Sequence, residues 1–417
     1  MVDFVGTDGQ RYLGGRASDS RELGLMVGFP PPVDKRVTFE SGTFRDSPKN
    51  RWSMSHMREL VPTVNVWRGR GTPSHFEYRD RSSDIESLVF TDANGISRRF
   101  HEALVDTYAD GIVVLHRGRI VYERYLGALE PHVPHSCMSI TKSYAGTLAA
   151  ALLHEGALDA SKAIPHYVPE LHGTAWADAT LRQVMDMQTG LAFTEEYTGQ
   201  HTDGWAFERA GGWRPWPVGQ VDRQTMYDYL RTIRKEGEHG KVFAYKSVNA
   251  AVLAWVMARV TGQSLAQSIQ ERLWIPLGCE ENGYMVVDSA GTPMAGGGLN
   301  MTLRDLARFG ELMRREGEWN GKQLISASVV RDVHTGGDPS KFSDARRRGY
   351  SYRDMWWVTH NELEAIEGRG AEGQYLYIAP EAEMVVARFA SQPSALYEAC
   401  SKIYESQMLA LGQMLRA

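Results

Sequence analysis

The chain is short of cysteine and of every feature that marks an exported or membrane-spanning protein. Three cysteines, Cys137, Cys279 and Cys400, are spread over 417 residues. None belongs to a Cys-x-x-Cys pair, which excludes a disulfide framework and a thiolate metal knuckle. Cys137 is read as a small buried residue rather than a nucleophile or ligand. No apolar run approaches the length of a membrane span. Met1 to Gly28 is polar and glycine-rich, with no basic segment followed by an apolar one. No secretory signal is therefore expected, a cytoplasmic location is the default, and a cell-wall role is disfavoured. No block of one charge sign stands out either. Lys+Arg 46 against Asp+Glu 51 gives a net charge of −5, so nucleic-acid binding has no electrostatic support.

Familiar catalytic signatures are missing too. The sequence has no G-x-S-x-G elbow, no H-E-x-x-H, no Walker A loop and no Cys/His cluster at metal spacing. Its 13 histidines are scattered; His135 and His201, the two placed nearest the expected cleft, are assigned structural or surface roles. No metal and no cofactor are expected. What remains is a composition, 42% hydrophobic and 23% charged, that suits one large domain with an inserted lobe, or two domains.

Against that background Ser139-Ile140-Thr141-Lys142 carries information. Residues three apart on a helix share a face, so Lys142 can reach the Ser139 oxygen and take its proton. The first turn of the helix also leaves N–H groups free for a negative charge. The bland alternative, a serine cap with a solvated lysine, needs a second signal to displace it. Tyr245, in Phe243-Ala244-Tyr245-Lys246-Ser247-Val248-Asn249, supplies one. A phenol beside a lysine can relay a proton to a leaving group, and Ser247 and Asn249 add polar partners; Lys246 is read as solvated. Gly368-Arg369-Gly370-Ala371-Glu372-Gly373-Gln374 supplies another. Its small residues allow backbone to approach a substrate closely, which suits the second N–H of an oxyanion hole. A strand pattern follows it rather than a helix, so the formal GxGxxG match is not a dinucleotide site.

The coarse organisation has strands early and late with helices between. Residues 1–50 form an extended arm. Residues 98–110 are helical, 111–116 and 119–125 form a hairpin about Arg117-Gly118, and 143–156 is a buried helix. Helices over 181–188, 225–234 and 249–261 build an all-α lobe, 166–290, with an aromatic lid loop over 194–220. A helix over 302–316, strands over 355–360, 374–379 and 384–389, and a final helix from about 395 complete the chain. The expected fold is α/β (α+β): one antiparallel sheet built from 51–165 and 291–417, flanked by helices, with the lobe inserted. A cleft between sheet and lobe is the natural site.

Ser139-x-x-Lys142, then Tyr245-x-Ser247-x-Asn249, then a late glycine-rich strand entry, resembles the serine β-lactamase and penicillin-binding-protein superfamily. Asn50-Arg51-Trp52, Tyr167-Val168-Pro169-Glu170-Leu171, Asp186-Met187-Gln188, Gly212-Trp213-Arg214 and Asp305-Leu306-Ala307-Arg308 make it more similar to the 6-aminohexanoate-dimer hydrolases, from about Asn50 to the C-terminus. The resemblance implies a β-lactamase-like fold and an acyl-enzyme on Ser139, with Lys142 as base, Tyr245 as proton relay, and the Ser139 and Ala371 N–H groups as oxyanion hole. It implies that Tyr197 contacts the amide nitrogen, that Trp213 belongs to the same mobile loop, and that Glu208 pairs with a substrate ammonium. Gly296 and Glu372 stand where substrate-contacting residues occur. The Lys-Thr-Gly of β-lactamases is replaced by Ala371-Glu372-Gly373, which argues against lactamase activity. The implied function is hydrolysis of linear amides of the 6-aminohexanoate-oligomer type or of short-chain esters. A carboxylesterase without amidase activity, a covalent acyl-binding sensor and an acyltransferase are the alternatives. The partner is then a small-molecule substrate; a homodimer is left open.

Overall fold

A computed structural model describes residues 4–5, 10–197, 199, 201–395 and 398–417. Its centre is a seven-stranded antiparallel sheet built from both ends of the chain. The strands run in the order Ser351–Arg353, Trp356–Val358, Ile366–Gly370, Gln374–Ala379, Met384–Ala390, Ala109–His116, Arg119–Tyr125. The hairpin turns at Arg117 (φ 54°) and Gly118 (φ 73°), two consecutive left-handed residues, as a tight turn matched to strand twist requires.

Both faces of this sheet are covered, which explains why its central strands read as continuous apolar runs rather than alternating ones. Along Ile112-Val113-Val114-Leu115 the side chains alternate between two cores. Val113 and Leu115 pack with Leu306 and Phe309 of helix Leu303–Arg314. Ile112 and Val114 pack with Tyr404, Met408 and Leu411 of the terminal helix Glu398–Arg416. Thr302 caps the first of these helices, accepting the Asp305 N–H.

Helix Ile140–His154 is buried from Ile140 to Leu152. It lies between the sheet and helices Val248–Thr261 and Leu265–Ile269 of the lobe. Val248–Thr261 ends at Gly262, whose φ of 70° is the left-handed cap expected of a terminal glycine.

Four expectations need correction. The stretch 194–220 is not all loop: Asp203–Ala210 is helical, capped by Thr202. Strand Ile366–Gly370 lies where no strand was expected. A second sheet of four short strands, Thr63–Val66, Gly283–Val286, Leu299–Met301 and His135–Ser136, joins distant segments, and its Gly283–Val286 strand falls within the block read as all-α. Lys246, read as solvated, is half-buried, and its ammonium donates to the Leu191 carbonyl. Among the described residues no helix is long and apolar enough to cross a membrane.

Candidate active site

Ser139 stands immediately before helix Ile140–His154, behind a left-handed Met138 (φ 48°). A non-glycine residue held at positive φ is strained and persists only where its surroundings fix it. Here the bend turns the Ser139 side chain into a cavity of about 410 Å³. Lys142 is one turn on, on the same helix face. Its Nζ donates to Ser139 Oγ at 2.7 Å and to the Gly296 carbonyl at 2.5 Å, while Ser139 Oγ lies 3.2 Å from the same carbonyl. Burial pushes the Lys142 amine down to about 8; the Glu195 charge opposes that shift. Tyr245 lines the same cavity as Ser139, and the Ser139 hydroxyl favours the ionised form of its phenol. The Lys142 Nζ is 5.0 Å from the Tyr245 ring centroid, and that ring stacks on Trp357 at 5.5 Å. Burial raises the Tyr245 phenol well above its ordinary range, so it stays protonated.

Opposite the helix start lies the end of strand Ile366–Gly370. A Cβ on Gly370 would sit 2.6 Å from the Cys137 carbonyl oxygen, so only glycine lets strand and helix entry approach this closely. Ala371 follows, on the cavity wall. Among the described residues neither the Ser139 nor the Ala371 N–H donates a backbone hydrogen bond. Two such donors facing one cavity can hold an oxyanion.

Ser247, Tyr197, Trp213, Glu208 and Gly296 also line the cavity. Asn249 does not: it is buried behind Ser247, accepting from Thr189 Oγ1 at 2.9 Å and donating to the Lys246 carbonyl. There it holds the segment that carries Tyr245. Glu208 reaches the wall, but both its oxygens are taken. Arg45 donates to one and Arg214 Nε to the other at 2.9 Å. Glu372 is turned from the cavity into the arm, where it accepts from Arg45 at 3.2 Å and Asn50 at 3.4 Å. His135 is buried against Asp110 at 3.2 Å and stacked on Phe389; His201 is exposed. Burial raises the Cys137 thiol to about 12, which leaves it inert.

Glu195 and Arg45 are among the wall residues that lie outside the sequence-derived set. Glu195 accepts from the Tyr197 hydroxyl at 2.5 Å, the Ser247 hydroxyl at 3.1 Å and the Ser247 N–H. Its place two residues before Tyr197 was the available signal. Arg45 comes from the N-terminal arm, and nothing in its local sequence marks it. Among the described residues no group of acidic, histidine or cysteine side chains could hold a metal ion.

The beta-lactamase family model matches residues 98–404. A 6-aminohexanoate-dimer hydrolase of Paenarthrobacter ureafaciens is 33% identical over 373 residues, 88% of this chain and 91% of that one. A solved structure from Bacillus anthracis, described as a candidate 6-aminohexanoate-dimer hydrolase, superposes with a TM-score of 0.84 at 31% identity, covering 93% of this chain and 99% of the other. EstCE1, a hydrolase with promiscuous acyltransferase activity, shares the fold at 14% identity and a TM-score of 0.59, covering 76% of this chain and 97% of its own. With its seven-stranded sheet, its inserted helices and these relatives, the chain belongs to the beta-lactamase family as a serine hydrolase similar to the 6-aminohexanoate-dimer hydrolases.

Proposed function

We propose that the protein hydrolyses small linear amides, of the 6-aminohexanoate-oligomer type or their uncharged counterparts, and short-chain esters, through an acyl-enzyme on Ser139. The observation that carries this reading is the 2.7 Å contact between Lys142 Nζ and Ser139 Oγ, with the Tyr245 ring 5.0 Å from that Nζ on the same cavity. Neutral Lys142 takes the Oγ proton as Oγ attacks the carbonyl carbon. The carbonyl oxygen becomes an anion and accepts from the Ser139 and Ala371 N–H groups. Collapse of the tetrahedral adduct breaks the C–N or C–O bond. The leaving atom takes a proton from Tyr245, which recovers one from the Lys142 ammonium. Water then attacks the acyl ester by the reverse path, and Ser139 is regenerated.

Amides need that leaving-group proton more than esters do, because an amine anion is a very poor leaving group. On this reading Tyr197, which lines the cavity, meets the nitrogen. Its own O–H is committed to Glu195, so its oxygen is left to accept a substrate N–H. An ester has no such hydrogen. Tyr197→Phe should therefore lower kcat/KM for an amide about tenfold more than for the matched ester, the worth of one hydrogen bond. Equal losses on both substrates would favour the carboxylesterase reading. A panel of linear amides and esters on purified protein tests the proposal itself; turnover of esters alone would restrict it to the esterase.

A further inference from the structure

We infer that Arg45 is a specificity-determining residue that fills the cation place of the cavity, so that the enzyme selects substrates with an uncharged rather than an ammonium end at that wall. This inference rests on Ser139 as the reacting group.

The arm brings Arg45 in from the N-terminal side of the fold, and its side chain is only 3% exposed. Its guanidinium bridges two carboxylates that are far apart in sequence, Glu208 on helix Asp203–Ala210 and Glu372 in the turn after Ala371. It also lies over the Trp213 ring, 4.5 Å from the centroid. A carboxylate beside an aromatic face is the arrangement that would attract a ligand cation. Here an internal cation already occupies both. Arg214 holds the remaining Glu208 oxygen and stacks on Trp205 at 4.2 Å, so each Glu208 oxygen is already paired with a charge.

The electrostatics point the same way. Two arginines hold the Glu208 carboxyl below its ordinary range, so it is ionised and fully paired. Arg45, Arg214, Glu208 and Glu372 sum to zero charge. An ammonium entering beside Arg45 would lose its water and meet a guanidinium whose two carboxylates are already paired, a desolvation that only a partner can offset. A methyl or other apolar end loses nothing there, because Phe207, Trp213 and Met294 line the same region.

Two matched substrate pairs read this directly: a straight-chain p-nitrophenyl ester with and without an ω-ammonium group on the acyl chain, and an N-alkyl amide with and without one on the leaving amine. The wild-type enzyme should prefer the uncharged member of the pair that reaches Arg45 by about tenfold or more in kcat/KM. Arg45→Met should move the charged-to-uncharged ratio of that pair upward by about tenfold, because Glu208 is then left with one partner. Arg45→Lys should keep the wild-type ratio. A structural role alone would lower both members together and leave the ratio unmoved. The same pairs bound to Ser139→Ala protein, followed by calorimetry with non-hydrolysable amides, give the ratio without turnover, so a failure of the Ser139 mechanism is told apart from a failure of this inference. Wild-type protein that uses or binds the ammonium member as well as the uncharged one in both pairs overturns the inference, even if Arg45→Met does not fold. So does a folded Arg45→Met variant whose two ratios stay within about twofold of wild type.

Discussion

Ser139→Ala should lower turnover of every amide and ester substrate by about 10⁴-fold or more, because no other group is placed to form the acyl bond. The loss is chemical and not structural. Ser139 Oγ makes no contact that holds elements together; it lies on the cavity wall, 3.2 Å from the Gly296 carbonyl, which Lys142 also satisfies. Unfolding free energy should therefore stay within about 1 kcal/mol of wild type. Steady-state kinetics with a chemical melt measures both. Turnover within a few-fold of wild type would assign the chemistry to another residue.

Lys142→Met should cost about 10³-fold or more in kcat/KM, and should also remove a pH dependence that the wild type shows. The sign follows from burial. A buried ammonium is penalised, so the amine titrates near 8 rather than 10.5. Its working form as base is the neutral one. Wild-type kcat/KM should rise about tenfold per pH unit below that value and flatten above it. Tyr245, shifted upward, is protonated throughout this range and gives no opposing limb there. Lys142→Arg should not rescue activity, because a guanidinium stays protonated. A flat profile between about pH 6 and 9, or activity that falls as pH rises, would show that Lys142 is not the base.

Much of this arrangement could be read from the chain, and the reasons differ between elements. The hairpin about Arg117-Gly118 and the helix from Ile140 are local features: apolar content and turn residues lie within a few positions of each other. The Ser139–Lys142 pairing is local as well, since one helical turn sets it. Strand Ile366–Gly370 was hidden by its charges. Glu367 and Arg369 are buried and paired with each other at 2.6 Å, and Arg369 also donates to Glu405, so a charge pattern that reads as exposed is internal. Helix Asp203–Ala210 was obscured by Gly204 and by the polar, glycine-bearing residues around it, although its cap, Thr202, was in plain view. The four-stranded sheet was not legible because its strands are two to four residues long and come from four separate regions.

The cavity wall shows the same division. Ser139, Lys142, Tyr245 and Ala371 are marked by their neighbours in sequence. Arg45 and its two carboxylates are 163 and 327 residues apart, so only the fold reveals that an arginine of a polar arm is buried in the site. The expected pairing of Glu208 with a substrate cation was read without sight of Arg45, which the fold sets on that carboxylate. Helix, strand and turn follow local rules, whereas the charge balance of a pocket is a property of segments that meet only when folded.

Mass spectrometry of the protein mixed with an activated short-chain ester tests the central claim most directly. A mass gain of one acyl group should appear within the first turnover, map to the peptide that carries Ser139, and decay as free acid is released. An adduct that persists, one that maps to another residue, or turnover with no adduct under conditions where deacylation is made rate-limiting would contradict it.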